Sequence, residues 1–137
     1  MQKLLILILI VVFHSAAYQQ ERKINEVQKI FIKIEDGLNN GNTDTFSNYF
    51  GDKTYLSLSN SVSGYYSQNQ AFYILKDFFS VNKPIGFRIN NQITEGNSPF
   101  ASGTFKYVTK GIRTSASVFI SLKQINSDWV ITQITIN

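Results

Sequence analysis

Roughly the last fifty residues read as four alternating runs divided by turn signals, and no other feature narrows the possible folds as far. The runs cover residues 86–93, 100–109, 113–124 and 129–136. Glu95-Gly96-Asn97-Ser98-Pro99, Lys110-Gly111 and Asn126-Ser127-Asp128 separate them; clusters of Gly, Asn, Asp and Pro reverse the chain. Four strands joined by short turns make an antiparallel meander. Alternation leaves one sheet face apolar, and that face needs a cover.

The cover lies upstream. Ile24, Val27, Ile30, Phe31, Ile34 and Leu38 recur at spacings of three and four, which predicts a helix over residues 20–40. Gly37 sits inside it at some cost, and Asn40-Gly41 ends it. A short second helix is predicted next, with Thr43 as N-cap and Phe46, Tyr49 and Phe50 on its buried side. Residues 53–59 alternate, Thr54, Leu56 and Leu58 facing one way and Tyr55 and Ser57 the other, and residues 62–66 return after Asn60-Ser61. Ser67 caps a third helix over residues 68–81, striped by Ala71, Ile74, Leu75, Phe78 and Phe79, with Pro84 beyond its end. The fold class is therefore α+β. About six antiparallel strands, two short ones after the second helix and four C-terminal, take a long N-terminal helix and two shorter ones on one face.

The N-terminus carries a different message. Lys3 precedes an unbroken apolar run from Leu4 to Phe13, then Ser15 and Ala17 supply small residues. That is the pattern of a secretory signal peptide cleaved after Ala17, and the run is shorter than the roughly 20 residues a membrane-spanning helix needs. The expectation is a signal over residues 1–17 and one domain over residues 18–137, exported to the periplasm or secreted, soluble and without a membrane span. The chain has no cysteine, so neither a disulfide nor lipid attachment at a cleavage-site cysteine is available. The net charge of +4 is spread without any Lys/Arg run, which gives no footprint for nucleic acid.

The order of elements resembles the nuclear transport factor 2-like fold, also called the cystatin-like cone, in which a curved sheet wraps a long helix. The sequence itself resembles a family of small exported bacterial proteins, common in Bacteroidetes, known as domain of unknown function 4783. The resemblance rests on residues 41–50, on Tyr66-Ser67-Gln68-Asn69-Gln70-Ala71, on Leu75-Lys76-Asp77-Phe78-Phe79, and on Ala101-Ser102-Gly103-Thr104-Phe105. It covers nearly all of the chain after the signal. It implies the cone fold and no particular chemistry, because the broader fold hosts isomerases, dehydratases, carriers and dimerisation modules.

Catalytic groups are scarce. The one histidine, His14, lies in the signal segment. Neither a nucleotide-binding loop nor a nucleophile elbow occurs, and no His, Cys, Asp or Glu spacing fits a metal, so no cofactor and no metal is expected. Asp77, beside Phe78-Phe79, is the candidate for a desolvated base; its alternative is a solvated carboxylate on the third helix. Glu35 and Asp36 are adjacent, and neighbours on a helix diverge rather than face one another.

Two groups of residues stand out instead. Tyr49, Tyr65, Tyr66, Tyr73, Phe105, Tyr107 and Trp129 are candidates for lining the cone as a ligand pocket, or else for filling it as core. Strand parity places Arg88, Lys106, Arg113, Phe119 and Lys123 together on the sheet face away from the helices, among hydroxyls, provided that no bulge shifts the alternation. That face is a candidate interface. The leading expectation is a non-enzymatic exported domain that binds a partner protein or a small apolar or anionic ligand, with a homodimer through the sheet face as one form. The alternative is a small isomerase- or dehydratase-like enzyme using Asp77 or a tyrosine. A further reading is recognition of an acidic protein surface through Arg88, Lys106, Arg113 and Lys123.

Overall fold

The structure is a computed structural model that describes residues 24–137. The expected signal at residues 1–17, His14 within it, and residues 20–23 of the expected first helix lie outside the described residues.

Helix α1, Glu26–Asn40, opens with a capping box in which the Asn25 side chain accepts from the Gln28 N–H and the Gln28 side chain accepts from the Asn25 N–H. Gly41, at φ 65°, closes it, its N–H donating to the Gly37 carbonyl. Val27, Ile30, Phe31, Ile34 and Leu38 form the buried stripe. Helix α2, Gln68–Val81, repeats the device with Ser67 and Gln70 and buries Ala71, Leu75, Phe78 and Phe79.

Both helices pack on one face of a six-stranded sheet ordered β2-β1-β6-β5-β4-β3. Its strands are β1, Phe50–Leu58; β2, Ser63–Tyr66; β3, Lys83–Ile93; β4, Phe100–Thr109; β5, Ile112–Ile125; and β6, Asp128–Ile136. Inward residues alternate as the sequence requires: Leu56 and Leu58 on β1, Ala101, Phe105 and Tyr107 on β4, Ala116, Val118, Ile120 and Leu122 on β5, all buried. Each Leu, Ile or Phe buried this way contributes about 1.5–3 kcal/mol from removal of apolar area from water.

Three expectations need correction. The sheet is mixed and not wholly antiparallel, because β1 runs parallel to β6, Leu56 beside Ile134 and Leu58 beside Ile136. Alternation sets which face a residue occupies and carries nothing about strand direction. The register shifts along this joint between Phe50 and Tyr55, where the buried Thr54 hydroxyl donates to the Ile131 carbonyl at 3.0 Å. Second, among the described residues two α-helices are present, and the expected short second helix is not one of them: the segment after α1 forms two 3-10 turns, Thr43–Thr45 and Ser47–Tyr49. Asn42, not Thr43, caps the first, its side chain accepting from the Asp44 N–H. Thr43 is buried with its hydroxyl unpartnered. Third, β3 starts at Lys83 rather than at Gly86, so that Pro84, beyond the helix end as expected, lies inside the strand opposite Tyr107, which is tolerated because β3 is an edge strand.

Phe46, fully buried, is the plug between these turns and α1. A Cβ on Gly37 would run into its ring and come within 2.8 Å of the Asn42 carbonyl oxygen. Gly37→Ala should therefore lower stability by about 1–3 kcal/mol through overpacking, although alanine favours a helix by about 1 kcal/mol over glycine. Thr43→Val, which removes the orphan hydroxyl while keeping its shape, should raise stability by about 1 kcal/mol. Urea denaturation midpoints check both signs.

Candidate functional site

Among the described residues, the seven aromatic residues expected at a pocket divide between the core, its margin and the surface. Phe105 and Tyr107 lie in the core, stacked at 5.0 Å between ring centroids. Phe79 meets Phe105 edge-on at 5.9 Å, and Phe78 approaches Tyr107 at 6.4 Å. Tyr49, Tyr66 and Trp129 are half-buried against that core. Tyr65 points to solvent, because β2 places it opposite to Tyr66, and packs at 5.2 Å on Tyr55. Tyr73 stands on the solvent side of α2 against Phe72. Phe105 and Tyr107 are thus core residues, while Tyr65 and Tyr73 stand on the surface.

Carboxylates fare similarly. Asp77 is exposed on α2. Of the acids among the described residues only Glu35 is partly buried, and no three His, Cys, Asp or Glu side chains there cluster as metal ligands.

The outer sheet face gathers the second group. Arg88, Lys106, Arg113, Phe119 and Lys123 all project from it. Bulges do occur, in β3 between Pro84 and Gly86 and between Ile89 and Asn91, and at the β5–β6 joint beside Ser121. They leave the parity of these five intact. Phe87, Arg88 and Ile89 remain in step with β4 between the two β3 bulges, and the β6 strand absorbs the third, since Ser121 pairs with Gln133 and Leu122 with Ile131. Arg88 sits opposite Thr104, Lys106 opposite Ser115, and Arg113 opposite Val108, so three cations cluster at one end. Phe119 stacks on Phe100 at 5.7 Å in mid-face. Lys123, opposite Val130, stands apart at the other end.

Sequence reasoning missed the way α1 meets the edge of β3. Glu35 accepts from the Ile89 N–H at 2.8 Å, and Asn39 Oδ1 accepts from the Phe87 N–H. Asn25 Nδ2 donates to the Thr94 carbonyl at 3.4 Å. Positions 25, 28, 32, 35 and 39 make a second helical stripe, beside the apolar one, and that spacing was the available signal. Two depressions flank this seam and share Asn90. One, of about 370 Å³, lies between Ile24, Gln28, Ile32 and Glu35 on α1 and residues 89–92. The other, of about 450 Å³, is lined by Asn39, Gly86, Arg88, Thr104 and Lys106 among others.

The family model for Domain of unknown function (DUF4783) matches residues 31–137. A crystal structure of a DUF4783 family protein from Bacteroides uniformis is 24% identical, with a TM-score of 0.70 over 77% of this chain and 94% of that one. Another from Bacteroides ovatus is 27% identical, with a TM-score of 0.67 over 76% and 90%. An NTF-2 like protein of unknown function from Shewanella oneidensis shares the fold at 13% identity, with a TM-score of 0.56 over 79% and 93%. No curated protein matches the sequence.

The seam makes a local prediction. Glu35→Ala should speed amide hydrogen exchange at Ile89 by roughly tenfold or more, since a hydrogen bond to a charged acceptor is worth about 1.5–3 kcal/mol. Asn39→Ala should do the same at Phe87 to a smaller degree. Unchanged exchange at both amides would mean that the seam does not protect the edge.

Proposed function

The chain is a member of the DUF4783 family, and on that premise we propose that it is a non-enzymatic binding domain that works after export and engages an anionic partner through the outer face of its sheet. The observation that carries this reading is the sign of that face. Arg88, Lys106, Arg113 and Lys123 project among hydroxyl side chains and a stacked Phe100–Phe119 pair. Among the described residues, Asp128 shares this face at the Lys123 end, since it pairs with Ile125, and Asp52 lines a depression with it. The other acids lie on the helices and 3-10 turn (Glu26, Glu35, Asp36, Asp44, Asp77) and in the β3–β4 turn (Glu95), so the uncompensated positive charge is that of Arg88, Lys106 and Arg113.

The packing of Phe105 and Tyr107 and the exposure of Asp77 support the same reading. An isomerase or dehydratase on this fold would need a desolvated acid or base near its substrate, and Asp77 is exposed. The apolar rings are engaged in packing, which favours the anionic over the apolar class of ligand. Like charges also disfavour pairing of this face with a second copy of itself, so a partner of opposite sign is preferred to a homodimer. No described helix is long and apolar enough to cross a membrane.

The protein should be retained on a heparin matrix at low salt and released as ionic strength rises, because exposed charges are screened within about 10 Å at 0.1 M. Lys106→Glu with Arg113→Glu should abolish most of the retention. Lys29→Glu with Lys33→Glu, on the exposed side of α1, changes the net charge equally and should leave most of it. Equal losses from the two pairs would reduce the effect to net charge and sink the assignment to this face.

A further inference from the structure

We propose that the depression around Arg88 and Lys106 is a site for one oxyanion group, a carboxylate, phosphate or sulfate borne by the ligand. The inference rests on the outer face being the binding face and names the point at which that face recognises its partner.

The depression is built by irregularity in an edge strand. Two register shifts in β3 bracket Arg88, one between Pro84 and Gly86, the other between Ile89 and Asn91. Bulges twist a strand and re-aim its side chains. Gly86, opposite Lys106, contributes no side chain, and a Cβ there would meet only Asn39 Oδ1, at 3.6 Å. The floor is therefore open where the flanking residues are cationic. The depression is open to solvent, and its volume of about 450 Å³ leaves room for an oxyanion group.

The lining presents donors. Asn39 is oriented by the Phe87 N–H, which requires the amide oxygen on that side. Its NH₂ group is left as a donor, facing away from the strand edge. Asn90 Nδ2 donates to Thr104 Oγ1 at 3.4 Å, which uses an acceptor site of that hydroxyl and leaves its hydrogen free. Arg88 offers a planar fork and Lys106 a point charge from the neighbouring strand. Among the described residues no carboxylate lines the depression. Glu35 lies across Asn90 in the adjoining depression, its carboxylate engaged with the Ile89 N–H. Guanidinium, ammonium, amide and hydroxyl donors around one hollow are complementary to a group with several oxygen acceptors and negative charge. A neutral ligand would use neither charge.

The test titrates inorganic phosphate, and separately glucuronate, into ¹⁵N-labelled protein. Saturable shifts at the amides of Gly86, Arg88 and Thr104 are expected with at least one of them. A tighter response to phosphate assigns the tetrahedral anion, and a tighter response to glucuronate assigns the sugar carboxylate. Arg88→Gln should weaken binding at least about tenfold, the loss of a charged hydrogen bond, and Thr104→Val severalfold. Lys33→Gln, on α1, should leave it unchanged. Absence of saturable shifts with both anions, or an Arg88→Gln protein that binds as well as the wild type, overturns the site. Heparin retention on the same samples separates the two ideas. Retention that persists without small-anion binding removes the site and spares the face; loss of both removes the face as well.

Discussion

An edge strand must hide or satisfy its outward amides, and the way this molecule does so governs much else. The outer edge of β3 would present free N–H groups, the usual template for unwanted pairing. Glu35 and Asn39, one helical turn apart, accept from Ile89 and Phe87. Helix α1 thus has two jobs on adjacent stripes. Its apolar stripe fills the sheet's concavity, and its polar stripe seals the border. The two requirements together fix the rotation of the helix about its axis, because turning it to improve one contact would break the other. The hollows on either side of Asn90 follow from the same arrangement, since the strand must bulge to keep step with β4 while it stays within reach of the helix.

Close approach at the other side of β3 completes the constraint. A Cβ on Gly103 would collide with the Arg88 carbonyl oxygen and lie 2.9 Å from the Phe87 ring. A bare backbone is needed there for β3 to fold over β4. The strand that carries the proposed anion contact is therefore held from both flanks, by side chains of α1 on its edge and by the missing side chain of Gly103 on its face. A rigid support of that kind keeps an exposed arginine's anchor in place even though its tip is free.

Much of this was legible in the sequence, for physical reasons that can be named. Helix α2 was readable end to end, because Ser67 and Gln70 form a capping box directly ahead of an apolar stripe. Strand β4 was readable because ten residues alternate without interruption between turn signals. The outer-face positions of Arg88, Lys106, Arg113, Phe119 and Lys123 were accessible by parity alone, and the bulges happened to fall where they left it intact. The parallel β1–β6 joint was not legible, since Leu56 and Ile134 would alternate identically in either direction. Nor was the helix-to-turn change at Thr43, where local side-chain acceptance by Asn42 competes with helix formation. The role of Glu35 stayed hidden because its partner is a backbone amide 54 residues away. Composition shows that rings are present, while only packing shows where each one stands: Phe105 and Tyr107 in the core, Tyr65 and Tyr73 on the surface.

The parallel joint also orders the assembly of the chain in time. The β4–β5 hairpin closes over a turn at Lys110-Gly111, both at positive φ, so its strands meet early at little entropic cost. Thr54 and Ile131 are 77 residues apart in sequence, and their meeting waits for nearly everything between them. Contacts of that separation slow folding more than they strengthen the product. The closure of β1 on β6 is accordingly the late, long-range step of this fold: the β1–β2 hairpin is local, but its other edge stays open until the last strand arrives.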